Sequence, residues 1–287
     1  MHPPAPRTLK PATTRRRFLN LSILVACALA LPGHAAFNEG QALDLFRPDA
    51  GGDDDPFDHG PWQDFLDRYL VTDTANGIHL VRYGAVSAED RRSLDAWLEA
   101  LAGTDPRGAS RDAQMAYWIN LYNGLTVQLI LEHPEVESIR EISSGLFSFG
   151  PWDLELTRVA GQDLTLNDIE HRILRPLYRD PRIHFAVNCA SLGCPDLAAE
   201  AYTATNLEAL LERGARTYVN HPRGVTLEGR RLTLSSIFDW YRGDFPSGRA
   251  ALLAWLADYA EPELGAALRA FDGRLRHAYD WNLNAAR

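Results

Sequence analysis

The sequence predicts an α+β fold: a single mixed domain, helix-rich, with a small, largely antiparallel sheet. Three observations predict it. From Pro61 onward, apolar residues recur three and four apart over most of the chain. The strand-like stretches are short and scattered among those helical ones. No strand–helix–strand rhythm joins them, which disfavours a doubly wound parallel sheet.

The elements follow in chain order. Residues 1–35 read as an export signal rather than as fold: Arg15, Arg16 and Arg17 precede an apolar run from Leu21 to Leu31, and small residues close it. Thr14-Arg15-Arg16-Arg17-Phe18-Leu19 resembles the twin-arginine export signature, so the twin-arginine export machinery is the expected partner of the leader. Cleavage is expected near Ala35, which makes the protein periplasmic or otherwise exported. Leu24-Val25-Ala26-Cys27 offers the alternative of a lipid anchor at Cys27. Residues 36–60, rich in Asp, Gly and Pro, form a solvated lead-in, and 61–287 is expected to be the single globular domain.

Within that domain, Trp62, Phe65, Leu66, Tyr69 and Leu70 fall at helical spacing, and Ile78–Tyr83 alternates like a strand. Ser87 and Asp90 open a helix carrying Leu94, Trp97, Leu98 and Leu101. A longer helix is expected over Arg111–Glu132, stopped by His133-Pro134. Trp152–Val159 reads as a strand. Thr165 and Asp168 cap a helix to about Tyr178, and Arg182–Asn188 reads as a buried strand. Thr205 and Glu208 form a capping box ahead of a helix to about Val219. Val225–Leu234 is a hairpin turning at Glu228-Gly229. Two helices follow, over about 249–259 and 262–271.

Composition excludes several chemistries. The chain of 287 residues carries 29 basic and 38 acidic residues. Five of the basic ones (Arg7, Lys10, Arg15, Arg16, Arg17) and no acidic one leave with the leader, so the mature balance is −14. Such a surface repels polyphosphate, which argues against nucleic acid and anionic lipid as partners. Lys10 is the only lysine. The mature chain therefore has no lysine for a Schiff base, a general base or a phosphate-binding loop.

Chemistry-bearing residues cluster in three places. Asn120 and Asn123 share a face of the long helix, where an amide amid apolar neighbours marks a buried polar network. It either ties the helix to nearby loops or orients a histidine or donates to an oxyanion. Glu170 and His171 lie in "LTLNDIEHRILRPLY", with Arg175 four residues beyond His171. They form either a salt-bridged lock or an acid/base pair in a cleft. Cys189 and Cys194 are the cysteines left after the leader. In an exported chain they read as a disulfide or as a nucleophile, Cys189, among Ala190, Ser191 and Gly193. On the second reading, free N–H groups of "CASLG" lower the thiol pKa and form an oxyanion hole. His184, on the presumed strand, falls on the opposite face about 16 Å from Cys189, leaving His171, His221 and His277 as candidate bases. A metal site is poorly supported, since a second ligand pair at finger spacing and an H-E-x-x-H are both missing. No cofactor is expected.

"AYWINLYNGLTVQLI", "LTLNDIEHRILR", "DPRIHFAVNCASLGCPDL", "IFDWYRGDF" and "YDWNLN" together resemble the domain of unknown function 547 family. The resemblance spans Pro61 to Asn284. It implies one continuous domain whose motif residues here include Asn120, Asn123, Glu170, His171, Cys189 and Cys194, and it implies no settled activity. Two functions follow from the residues. One is an exported cysteine-dependent hydrolase or acyl transferase using Cys189, with His171 as base and Glu170, Asn120 and Asn123 in support. The other is a non-catalytic module with a structural Cys189–Cys194 disulfide that binds a small molecule, peptide or glycan.

Overall fold

The central element is α3 (Arg111–Glu132), a helix with 18 of its 22 residues buried. A helix apolar all round must be wrapped by the rest of its domain. Its neighbour α2 (Ala88–Ala102) starts at Ser87, whose Oγ accepts from the N–H of Asp90 at 3.0 Å and donates to that carboxylate at 2.6 Å. The two helices approach closely because residue 124 is glycine: a Cβ there would stand 2.6 Å from the Trp97 ring and 2.9 Å from Leu98. In front of them lies α1 (Gly60–Tyr69), whose Trp62 stacks on Trp97 at 5.5 Å. The computed structural model describes residues 41–48, 55–142 and 150–286. The leader, Cys27 and part of the acidic lead-in lie outside them.

Among the described residues strand content is low, and it is divided among three small sheets. In the first, β1 (Leu70–Val71) pairs antiparallel with β2 (Leu80–Val81), and in the second, β3 (Thr157–Val159) with β4 (Gln162–Leu164). The third runs β5 (Val225–Glu228), β6 (Arg231–Ser235) and β7 (Arg274–Ala278), with β6–β7 parallel. The fold is thus helix-rich α+β, with one parallel pair among antiparallel ones. The expected strand over 78–83 shrinks to Leu80–Val81 and the one over 152–159 to Thr157–Val159, because the chain turns beside them, as a 3₁₀ turn at Tyr83–Ala85 and as a turn over 150–154.

The largest departure from expectation is at 182–188. Pro181–Phe185 is a 3₁₀ helix, not a strand. The Asp180 carboxylate accepts from the Arg182 N–H at 2.8 Å, and Pro181 fixes φ at the first helical position. This start signal outweighs the apolar run that follows. A similar shift occurs before α4 (Leu207–Asn220): the reciprocal cap joins Thr203 and Asn206, with bonds of 2.7 and 3.3 Å, instead of Thr205 and Glu208. Thr165 and Asp168 do form their expected box, each accepting the other's N–H at 3.0 Å.

That box leads into Asp168–Tyr178, wound as a π-helix with Pro176 inside it. Proline in a helix interior removes one backbone donor and crowds the carbonyl a turn earlier, and wide turns of this kind recur at functional sites. Beyond the hairpin come α5 (Ile237–Trp240), α6 (Arg249–Tyr259) and α7 (Pro262–Arg269). These pack with α4 and β6 into a second apolar cluster around Phe185, Phe238 and Leu256, distinct from the one around α3.

Candidate active site

The site lies where the Cys189 loop, the π-helix and the closing segment meet. The loop from 188 to 194 is fixed from three directions. Asn123 on α3 accepts from the Asn188 N–H at 2.8 Å and donates to the Ala186 carbonyl at 2.9 Å. The Asn188 side chain accepts from the Ala190 N–H at 2.8 Å and donates to the Pro195 carbonyl at 2.7 Å. From the other side, Leu192 and Gly193 donate to the carbonyls of Asn282 and Asp280, both at 2.8 Å, and Asn284 donates to Ala190 at 3.0 Å. Gly193 permits that approach, since a Cβ would stand 2.7 Å from the Asp280 nitrogen. Ala190 is held at φ +57°, a left-handed conformation costly for a residue with a Cβ.

This clamp sets Cys189 against three donors. Ser191 Oγ, Tyr279 Oη and Cys194 Sγ each lie 3.2 Å from its Sγ, and the two hydroxyls are 2.9 Å apart. The hydrogen bond from Cys194 is the largest influence lowering the Cys189 pKa; burial opposes it, and Ser191 and Tyr279 add to the lowering. Burial pushes the Cys194 thiol well up, and Cys189 beside it pushes the same way. Tyr279 is likewise raised by burial, so it keeps its proton to donate. One sulfur is therefore the better thiolate and the other the better S–H donor.

Cys189 opens into a narrow cleft of about 40 Å³ whose walls include Glu170, His184, Trp240, Tyr241 and Trp281. Glu170 is 5% exposed and accepts from Tyr122 Oη at 3.2 Å, with Tyr241 as a further partner. Its Oε1 lies 3.8 Å from His184 Nδ1, while His184 Nε2 lies 2.7 Å from Asp244 Oδ2. Arg175 forks onto the same carboxylate, at 2.5 and 3.2 Å. Burial pushes the Asp244 carboxyl up, but the bonds from His184 and Arg175 outweigh it and hold it at about 2. The His184 ring stacks on Tyr241 at 4.1 Å. Trp240, Tyr279 and Trp281 form an aromatic wall, with centroids 4.6–5.4 Å apart.

The sequence-derived candidates separate in space. Cys189 and Glu170 share the cleft. His171 lines a larger open depression beside it, of about 490 Å³. Its Nδ1 is 2.9 Å from Arg175, and burial lowers its pKa. His221 bonds the Asn76 carbonyl at 2.8 Å, and His277 sits on β7. Asn120 pairs with both backbone groups of Tyr202, at 2.7 and 3.0 Å. Asn123 acts on the Cys189 loop through backbone alone. His184, set aside on strand geometry, reaches the cleft because the 3₁₀ helix turns it there.

Two further expectations are corrected. The cysteines are free thiols 3.2 Å apart, not a disulfide. The N–H groups of 189, 190, 192, 193 and 194 are all engaged, with Cys194 Sγ, Asn188 Oδ1 and three carbonyls, so they form no oxyanion hole. Among the described residues no cluster of three or more His, Cys, Asp or Glu is placed to hold a metal ion. None of their helices is long and apolar enough to cross a membrane.

Sequence reasoning weighed His184 and set it aside, and it missed Asp244, Tyr279 and the tryptophans. Their signal was present in "IFDWYRGDF" and "YDWNLN", which carry Trp240, Tyr241, Asp244 and Trp281, with Tyr279 at the head of the second. No curated protein and no solved structure matches the chain. The model of the family described as "Protein of unknown function, DUF547" matches residues 106–219, which hold α3, the π-helix, the Cys189 loop and most of α4, and over that segment the chain is similar to this family.

Proposed function

We propose that the chain is an exported cell-envelope enzyme that transfers or hydrolyses acyl groups through Cys189. The observation that carries this reading is a sulfur at a cleft wall with three hydrogen-bond donors at 3.2 Å. Donors converging on the sulfur favour its thiolate form, so this reading does not call on an imidazole hydrogen-bonded to it. The sulfur attacks the carbonyl carbon of an ester, thioester or amide, and the charge that develops on oxygen is met by the hydroxyls of Ser191 and Tyr279. As the tetrahedral adduct collapses, the leaving group takes a proton from His184, which Asp244 orients from behind. Water or an acceptor then attacks the thioester, returns a proton to His184, and frees the thiolate. The export half of the proposal rests on the leader.

Mass spectrometry after incubation with p-nitrophenyl acetate tests the chemistry. An acetyl group on Cys189 that is absent in Cys189→Ser and long-lived in His184→Gln is expected. A Cys189 that iodoacetamide alkylates but no ester or thioester acylates sinks the reading. The aromatic wall supports a second reading, ligand binding without turnover: Cys189→Ser would then keep full affinity for a peptide or glycan ligand that quenches Trp240 or Trp281 fluorescence. Cell fractionation tests export, since replacing Arg15 and Arg16 by lysine should retain the chain in the cytoplasm. Release of a membrane-bound form by Cys27→Ala would instead support the lipid anchor.

A further inference from the structure

We infer that Cys189 and Cys194 act as an attacking and a resolving thiol in exchange with disulfide substrates, an activity separate from acyl transfer. Three features of the geometry point there. The sulfurs are 3.2 Å apart, and a bond of about 2.05 Å needs only side-chain rotation within a loop already clamped by Asn123, Asn188 and the closing segment. The two are unequally accessible: Cys189 lines the cleft, while Cys194 is 4% exposed behind it. A substrate disulfide therefore meets Cys189 first. Their environments are unequal in the same sense, because hydroxyls of Ser191 and Tyr279 converge on Cys189, whereas Cys194 Sγ receives the Cys189 N–H at 3.0 Å.

The exchange balances in two steps. The Cys189 thiolate attacks one sulfur of R–S–S–R, forming a mixed disulfide and expelling R–S⁻. Cys194 gives its proton to that departing thiolate, and its sulfur attacks Cys189 Sγ, expelling the second R–S⁻, which takes a proton from solvent. Two electrons pass from the dithiol to the substrate, leaving an internal disulfide and two R–SH. The five-residue separation means that the resolving thiol is always at hand, so the mixed disulfide is short-lived. Forming the internal bond also removes the nucleophile that acyl transfer requires.

The test uses the full chain carrying Cys27→Ser, so that 189 and 194 are the only thiols, with oxidised glutathione as the probe. Samples are acid-quenched over time, alkylated and mapped by mass spectrometry, a readout that involves no acyl donor and stands whether or not acyl transfer occurs. The expected course is a transient glutathione adduct on Cys189, then a product two hydrogens lighter at 189–194. Cys194→Ser should raise the steady-state Cys189 adduct at least tenfold, and in Cys189→Ser the remaining thiol should react at least tenfold more slowly. Should the mutants fail to fold, the time course of the parent chain decides alone. A Cys189–glutathione adduct that persists in the parent overturns the inference. So does first attack at Cys194, and so does a chain that stays reduced while iodoacetamide alkylates Cys189.

Discussion

The face of α3 around Asn120 and Asn123 and the cleft around Glu170 and Cys189 are both buried and polar, yet they use their polar atoms differently. Each amide on α3 closes a two-bond ring with backbone, one with Tyr202 and one with Ala186 and Asn188. Nothing in those rings is left to meet a ligand. In the cleft, Cys189, Ser191 and Tyr279 bond to one another's side chains and Glu170 bonds to the hydroxyls of Tyr122 and Tyr241, with Cys189, Tyr279 and Glu170 opening on a cavity. Side-chain hydroxyls and thiols can turn toward an incoming group, whereas backbone amides cannot without unfolding the loop. Burial of a polar group is thus no sign of function by itself; the kind of partner separates a tie from a working group.

The two amides offer the sharpest way to break this comparison, and the largest effect. Removing either leaves a buried N–H and a buried carbonyl without partners, a cost of about 2–4 kcal/mol, or a fall in Tm of roughly 4–16 °C. Both Asn120→Ala and Asn123→Ala should show that loss by calorimetry. Only Asn123→Ala should also change the rate at which iodoacetamide alkylates Cys189, since only Asn123 holds the loop. Equal alkylation rates in both variants would mean that the α3 clamp has no bearing on the sulfur.

A smaller effect is expected from Tyr279→Phe, which takes one donor from the sulfur and leaves the ring in the aromatic wall. Loss of one hydrogen bond to a charged acceptor, about 1.5–3 kcal/mol, should move the thiol pKa upward and slow alkylation near neutral pH by roughly tenfold or more. Stability should change little. A pH–rate profile for alkylation that does not move would show that Tyr279 supports Cys189 only by packing.

What the sequence conveyed, and what it withheld, divides along the same line. Helices α2, α3, α4, α6 and the β5–β6 hairpin were legible because capping residues and apolar spacing act locally. So was the pairing of Asn120 and Asn123 on one face. His184 was misplaced because "IHFAV" satisfies a strand pattern as well as a turn of helix, and the Asp180-Pro181 start signal decided between them. The link from Tyr279 to Cys189 spans 90 residues and depends on how the closing segment threads beside the loop. No local pattern encodes it.

His59 supplies a third kind of buried polar group and the smallest expected effect. It is 5% exposed, beside Phe57 and Trp97 at 6.1 and 6.3 Å, and among the described residues neither ring nitrogen has a hydrogen-bond partner. Burial lowers its pKa, with Asp55 and Asp58 opposing in part. The unfolded chain, with an ordinary histidine near 6.5, therefore binds a proton that the folded chain resists. Stability on this account is intact above pH 6.5 and falls as pH drops from there toward the folded pKa. His59→Phe keeps the ring in its aromatic surroundings and removes both orphaned nitrogens, a gain on the order of 1 kcal/mol at pH 7. The gain should widen toward pH 5, while burial of His171, which lowers that group too, leaves a residual slope in both proteins. Melting curves at pH 7, 6 and 5 decide it: a Tm difference between His59→Phe and its parent that stays constant, or narrows toward acid, would mean that the imidazole is solvated after all.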